Sequence, residues 1–331
     1  MNSDKVLFLS SPDVRALLKI DECTAAVEHA FRLQGEGKTL PPAVLSLHVS
    51  NGGFHVKAGV LSLSRNYFAA KVNANFPDNL PRYALPTIQG IVILCDADNG
   101  VSLAIIDSRD ITALRTAAAT AVAAKYLARP GSTSVTVCGC GTQGRVQLTA
   151  LGRIFPLRAV FAYDKYPQQA SVFARELSPQ LNIPIMASDD LAECIRYCDI
   201  CVTCTTSHEP FVFEADIRPG LFIAAVGADN PNKHEIHTAV MARSKIVCDV
   251  IEQCASMGDL HHALNAGVVK KEDVHAELGE VVAGRKPGRE SGEEVIVFDS
   301  TGMALQDVAA AALVYEKAIR DGVGTVLQLA A

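Results

Sequence analysis

Two rhythms of apolar and polar positions run along this chain, and the change comes near residue 130. In the first, Ser11 and Pro12 open a helical pattern over residues 11–35, with apolar positions Val14, Leu17, Leu18 and Ile20 ahead of a second helical run from Asp21 to Gln34. Short strands follow at 44–49, 53–57, 67–73, 88–96 and 101–107. The turn signals Asn51-Gly52, Pro77-Asp78-Asn79 and Asp98-Asn99-Gly100 separate them. This succession predicts an antiparallel α+β region rather than a βαβ series, and an Ala-rich helix over 111–127 leads out of it.

In the second rhythm, apolar strands alternate with helical runs. Strands are predicted at 134–138, 159–164, 183–187, 199–204, 221–226 and 245–248, and helices at 142–154, 167–178, 189–196 and 235–242. That alternation predicts a doubly wound parallel sheet in an α/β domain. The polar segment 284–294, centred on Lys286-Pro287-Gly288, reads as an exposed loop. A strand at 295–299 and a helix at 303–320 follow, and the helix can return to the first region.

Composition narrows the function classes. At 331 residues the chain is long enough for two domains. A net charge of −6 and the lack of any basic run argue against nucleic-acid or anionic-membrane partners. No apolar stretch has the length of a transmembrane helix, and Met1-Asn-Ser-Asp-Lys5 lacks the apolar segment of a signal peptide, so a cytoplasmic location is expected. Cys198, Cys201 and Cys204 have a metal-like spacing, but they lie in an apolar strand where reduced cysteine behaves as a small hydrophobe. No metal is expected.

The stretch 134–164 carries the most specific chemistry. Gly139, Gly141 and Gly144 follow a predicted strand and open a predicted helix, the context in which Gly-x-Gly-x-x-Gly binds a dinucleotide. One glycine permits the tight turn, the next lets backbone approach a pyrophosphate, and the third lets helix and strand pack closely. The helix N-terminus offers N–H donors to the anion. Asp164, about 20 residues beyond the last glycine, can accept from the ribose hydroxyls and repel a 2′-phosphate. NAD is therefore expected, with Lys165 leaving NADP open. The alternative is a glycine-rich turn without a ligand.

Residues 71–129 contain Lys71-Val-Asn, Leu85-Pro-Thr-Ile-Gln-Gly, Asp98-Asn-Gly, Ile111-Thr-Ala-Leu-Arg-Thr-Ala-Ala and Ala123-Ala-Lys-Tyr-Leu-Ala-Arg. Further on come Gly139-Cys-Gly-Thr-Gln, Ala225-Val-Gly-Ala-Asp-Asn-Pro-Asn-Lys-His-Glu and Asp299-Ser-Thr-Gly. In this order they resemble the ornithine cyclodeaminase and μ-crystallin family over nearly the whole chain. The resemblance implies a substrate-binding and dimerisation domain over 1–115, completed by 303–331, and a Rossmann domain over 116–302. It also implies a homodimer and hydride transfer between nicotinamide and the α-carbon of a small amino or imino acid. An amino-acid dehydrogenase or imine reductase is the leading reading. A cyclodeaminase that recycles its NAD is the second, and a crystallin-like binding protein is the third.

Within that resemblance, Arg115 is the natural carboxylate clamp, because its planar fork gives two charge-assisted hydrogen bonds. The alternative is an internal ion pair. Lys71 faces the substrate by resemblance, whereas a lone strand lysine would otherwise be expected in solvent. Asp229 follows a strand at the edge where doubly wound sheets bind ligands. It can act as a general base or stabilise an iminium, or it can be a cap aspartate. The resemblance adds Thr142, Gln143, Thr205, Val226 and Ser300 for the cofactor and Thr87 beside the substrate. His55 and Lys57 stand about where ornithine-specific members carry an acid, so a cationic substrate tail is disfavoured. With Gly59 they share one face of a strand, or they form a hydrated pair on a sheet edge.

Overall fold

The computed structural model describes residues 5–329; residues 1–4, 330 and 331, which end the stretches assigned above to the first domain, lie outside the described residues. The chain forms two compact units, Met1–Arg115 with Met303–Ala331, and Thr116–Gly302.

The first unit runs β1 (Lys5–Leu9), α1 (Ser11–Leu17), α2 (Ile20–Gly35), β2 (Ala43–Val49), β3 (Gly52–Ser62), β4 (Asn66–Asn75), α3 (Asn79–Tyr83), β5 (Ile88–Asp96) and β6 (Ser102–Asp107). Helix α4 (Ser108–Leu127) then carries the chain onward. In the second unit β7 (Ser134–Cys138), α5 (Thr142–Ile154), β8 (Ala159–Tyr163), α6 (Pro167–Leu181), β9 (Ile185–Ala187), α7 (Leu191–Arg196) and β10 (Ile200–Thr203) come first. Then follow β11 (Phe222–Ala225), α8 (Thr238–Arg243), β12 (Lys245–Cys248), α9 (Ile251–Met257), α10 (Asp259–Asn265), β13 (Ala276–Glu277), α11 (Leu278–Val282) and β14 (Ile296–Asp299). The chain ends back in the first unit with α12 (Ala304–Asp321) and β15 (Thr325–Gln328).

The first unit's sheet has the order β15-β1-β6-β5-β4-β3-β2. The strands expected between residues 44 and 107 pair antiparallel, and β1, which the strand pattern did not include, pairs parallel with β6 and makes the sheet mixed. Residues 10–101, which lie between these two strands, supply the long connection that such pairing needs. One face of the sheet packs on α12, whose residues 304–312 are all buried. The other leaves Leu45, Leu47, Phe54 and Ile91 at 40–56% exposure. Register places Leu45 opposite Val56, Leu47 opposite Phe54, and Val72 opposite both Val56 and Ile91, so these side chains share one apolar face.

The second unit's sheet is parallel throughout, ordered β13-β12-β14-β11-β10-β7-β8-β9. Strands β7, β10, β11 and β14 are almost fully buried, which is why they read as continuous apolar runs. Chain order reverses between β7 and β10. That is the topological switch point, where the C-terminal ends of the strands open a crevice for a ligand. All ten cysteines are free thiols.

Candidate active site

In the second unit the residues singled out from the sequence gather at the C-terminal ends of the central strands. Gly139 leaves β7 at φ +102°, where a Cβ would come 2.9 Å from the Cys204 carbonyl oxygen. A Cβ on Gly144 would come 2.1 Å from the Gly139 carbonyl oxygen, so α5 lies against the loop as the fingerprint requires. Gly141, the N-cap of α5, meets nothing within 4 Å of its built Cβ. That open space, beside the first-turn N–H groups of a 13-residue helix, fits a close approach by pyrophosphate. Exposed Thr142 and half-buried Gln143 begin this helix, and the buried Oε1 of Gln143 has no hydrogen-bond partner.

Asp164 ends the next strand, and its carboxylate is already engaged. Oδ2 accepts from the Cys140 N–H at 2.8 Å and Oδ1 from the Tyr166 N–H at 2.9 Å. These bonds aim the carboxylate at the glycine loop. A carboxylate has about four lone-pair sites, so two remain for a diol.

Thr205 is set by a residue to which the sequence reading gave no role. Glu235 is fully buried; its Oε1 accepts from the Thr205 N–H and Oγ1, both at 2.6 Å. Its Oε2 accepts from Thr203 Oγ1 at 2.8 Å and the Gly227 N–H at 2.9 Å. Burial raises the carboxyl above its ordinary value, while these donors oppose the rise. Glu235 thereby ties the ends of β10 and β11 together, and a Cβ on Gly227 would strike it at 2.4 Å. Val226 is half-buried and donates its N–H to the Thr203 carbonyl. Ser300 is held in the same way: Asp249 Oδ2 accepts from its Oγ at 2.9 Å and from the Gly302 N–H at 2.7 Å.

Asp229 lies just beyond this junction with a half-exposed side chain. Its Oδ1 accepts from Lys233 Nζ at 2.7 Å, and the same ammonium donates to the Gly227 carbonyl. The aspartate is thus anchored by an ion pair.

The first unit holds the other group. Lys71 is 3% exposed, which removes the solvent reading of this strand lysine. Its Nζ donates to Asp307 Oδ1 at 2.8 Å. Arg115 Nε stands 3.0 Å from the same oxygen but is not aligned for a hydrogen bond, and its Nη1 donates to Gln306 Oε1 at 2.9 Å. The internal partner weighed for Arg115 therefore exists, without satisfying the guanidinium. Asp307 Oδ2 and Gln306 Nε2 are buried with no partner.

Burial first, and then the nearby Arg115 charge, lowers the Lys71 ammonium to about 7. Burial pushes the Asp307 carboxyl up, but Lys71 and Arg115 outweigh it and leave it below its ordinary value. Lys57 is also buried and stands directly opposite Lys71 across β3 and β4. His55, half-buried on the same face, lies 3.0 Å by Nδ1 from the Ser46 hydroxyl. Thr87 is half-buried ahead of β5, and its carbonyl accepts from the Phe76 N–H.

Neither Asp307 nor Gln306 entered the sequence reading. The available signal was a charged residue inside the apolar run of α12, where an unpaired carboxylate would be costly.

The family model described as ornithine cyclodeaminase/mu-crystallin matches residues 4–322. Alanine dehydrogenase of Archaeoglobus fulgidus is 40% identical over 321 residues, 97% of this chain and 98% of that protein. An archaeal alanine dehydrogenase dimer solved with bound NAD superposes at a TM-score of 0.94 with 39% identity, covering 98% of this chain and all of that one. The Δ1-pyrroline-2-carboxylate reductase of Thermococcus litoralis, solved with NADH and L-proline, gives a TM-score of 0.92 at 34% identity, over 97% and 99% of the two chains. The chain belongs to the ornithine cyclodeaminase/mu-crystallin family.

Proposed function

We propose that this protein is an NAD(P)-dependent oxidoreductase of small α-amino or α-imino acids. The observation that carries the substrate half of the reading is the buried group of Lys71, Arg115 and Asp307. A guanidinium and an ammonium share one carboxylate oxygen, and Arg115 Nε, buried without a hydrogen-bond acceptor, is a donor that a substrate carboxylate would engage. The relatives support the class of reaction, since they are named for amino- or imino-acid redox chemistry.

The nucleotide would be held by Gly139, Gly141, Thr142, Gln143 and Gly144 at its phosphates and by Asp164 at its ribose, with Thr205, Val226 and Ser300 along the strand ends. Bound nicotinamide would supply or receive the hydride at the substrate α-carbon. Arg115 and Lys71 hold the substrate carboxylate. Thr87 borders the substrate. Asp229, fixed by Lys233, carries the negative charge that stabilises positive charge developing on the substrate nitrogen, or accepts its proton. Asp307 positions Lys71 and Arg115 without itself touching the substrate.

The test combines purified protein, NADH or NAD+ and a panel of amino acids and cyclic imines. Steady, substrate-dependent change in reduced-nicotinamide absorbance is expected. Ammonia release from ornithine with no net change would put a cyclodeaminase in its place, and neither signal would leave a binding protein. Asp164→Ser is expected to weaken NADH and narrow its preference over NADPH by about tenfold or more. A parent protein that turns over NADPH better than NADH would refute that role.

We also propose a homodimer closed over the apolar face of Leu45, Leu47, Phe54 and Ile91, as a contiguous exposed apolar patch calls for cover. The archaeal neighbour was solved as a dimer. Sedimentation should give twice the 35.2 kDa chain mass, and Leu47→Lys should shift the protein toward the monomer. A monomeric parent would end the idea. Ten free thiols support a reducing, cytoplasmic location.

A further inference from the structure

Asp229 and Lys233 stand on the stretch that follows β11, and α10 holds the main chain of that stretch at two points one helical turn apart. Asp259 Oδ1 accepts from the Glu235 and Ile236 N–H groups at 2.8 and 2.9 Å. His262 Nε2 lies 2.8 Å from the Lys233 carbonyl oxygen. This second contact reaches the residue whose ammonium holds Asp229 Oδ1 at 2.7 Å. From an exposed position, His208 Nδ1 meets the next carbonyl back, that of Asn232, at 2.8 Å.

A carbonyl oxygen only accepts, so the His262 contact requires a proton on Nε2. His234 Nε2 faces the Ile236 carbonyl at 2.9 Å and carries one for the same reason. The two half-buried rings stack with centroids 3.9 Å apart and 11° between their planes. Rings laid face to face resist a charge on both, and burial, followed by the His262 ring, lowers His234 to about 4. At neutral pH His234 is therefore an uncharged flat surface on which His262 is seated. Two further imidazoles adjoin the stack. His261 stands edge-on to His262 at 5.3 Å, with Nδ1 on the Ala255 carbonyl and Nε2 on the Asn265 amide nitrogen, and His237 accepts the Ala239 N–H through Nδ1.

We infer that His262 is a positioning residue for the reaction: its Nε2–H fixes the Lys233 main chain, and Lys233 fixes the Asp229 carboxylate. This rests on the reading of Asp229 as the group that acts at the substrate nitrogen. Misplacing a catalytic group by about 1 Å can cost about 10²-fold in rate, so one hydrogen bond behind it is enough to matter.

The test is steady-state kinetics with an amino or imino acid that the parent turns over. His262→Phe keeps a ring for the stack and loses the donor, so kcat should fall about tenfold while NADH affinity stays within about threefold of the parent's. His262→Gln returns an N–H near the place of the imidazole Nε2 and should recover kcat to within about threefold of the parent. In an Asp229→Asn background, His262→Phe should change kcat by less than about twofold, because the group it positions is already disabled. A loss of equal size in both backgrounds, a loss that Gln does not relieve, or no loss where Asp229→Asn is crippled overturns the assignment of His262 and leaves the Asp229 reading in place. Near-normal kcat in Asp229→Asn alone removes the Asp229 reading and this inference with it. If His262→Phe does not fold, the two-bond 1H–15N spectrum of the parent's histidines decides: a proton on His262 Nε2 is expected, and a proton on Nδ1 alone overturns the assignment.

Discussion

Replacing Asp307 by alanine is expected to destabilise the protein by about 3–5 kcal/mol, because it leaves buried cations without their shared counter-charge. Asp307 is 1% exposed, and its Oδ1 lies 2.8 Å from Lys71 Nζ and 3.0 Å from Arg115 Nε. Removing it leaves Lys57, Lys71 and Arg115 facing one another inside the fold. For a domain of ordinary stability this is a large fraction of the total and should lower Tm on the order of 10 °C. Asp307→Asn keeps an oxygen for Lys71 but not the charge, so it should fall between parent and alanine variant. Thermal unfolding of the three proteins is the measurement. An alanine variant that melts within about 2 °C of the parent would show that Lys71 and Arg115 are stabilised by something other than this carboxylate.

The second large effect is expected in turnover rather than in stability. Asp229→Asn preserves size, and the residue's half-exposed side chain means that the fold should be little disturbed. It removes the charge proposed to act at the substrate nitrogen. A loss in kcat of about 10²-fold or more is expected, with NADH affinity close to the parent's. The control is Lys233→Met, which leaves the carboxylate but frees it from its 2.7 Å anchor. A smaller loss, shared between kcat and KM, is expected there. Near-normal kcat in Asp229→Asn, with intact nucleotide binding, would reduce Asp229 to a partner of Lys233.

Much of the second unit was legible in the chain because its signals are local. Strands β7, β10 and β11 are short apolar runs, and each is followed within a few residues by the polar or glycine positions that shape the crevice. The first unit was less legible at its edge. β15 has four exposed residues and no internal pattern, and it becomes a strand only by pairing with β1, more than 300 residues away. That pairing is antiparallel, and the parallel match of β1 to β6 alone makes the sheet mixed.

The site divides along the same line. The amino-acid sequence by itself determined the glycine loop at Gly139, Gly141 and Gly144, the acid at the end of β8, and the family to which the Thr-Ala-Leu-Arg-Thr-Ala-Ala block points. Each depends on residues within one short stretch of chain, where local order along the sequence carries the signal. Only the tertiary structure decided what those residues answer to. Asp307 meets Lys71 across 236 positions, and Glu235 reaches back 30 to Thr205. Lys57 faces Lys71 because a hairpin register places them together. A buried charge is governed by the dielectric and counter-charges around it, and those come from whichever elements pack there, not from adjacent positions in the chain.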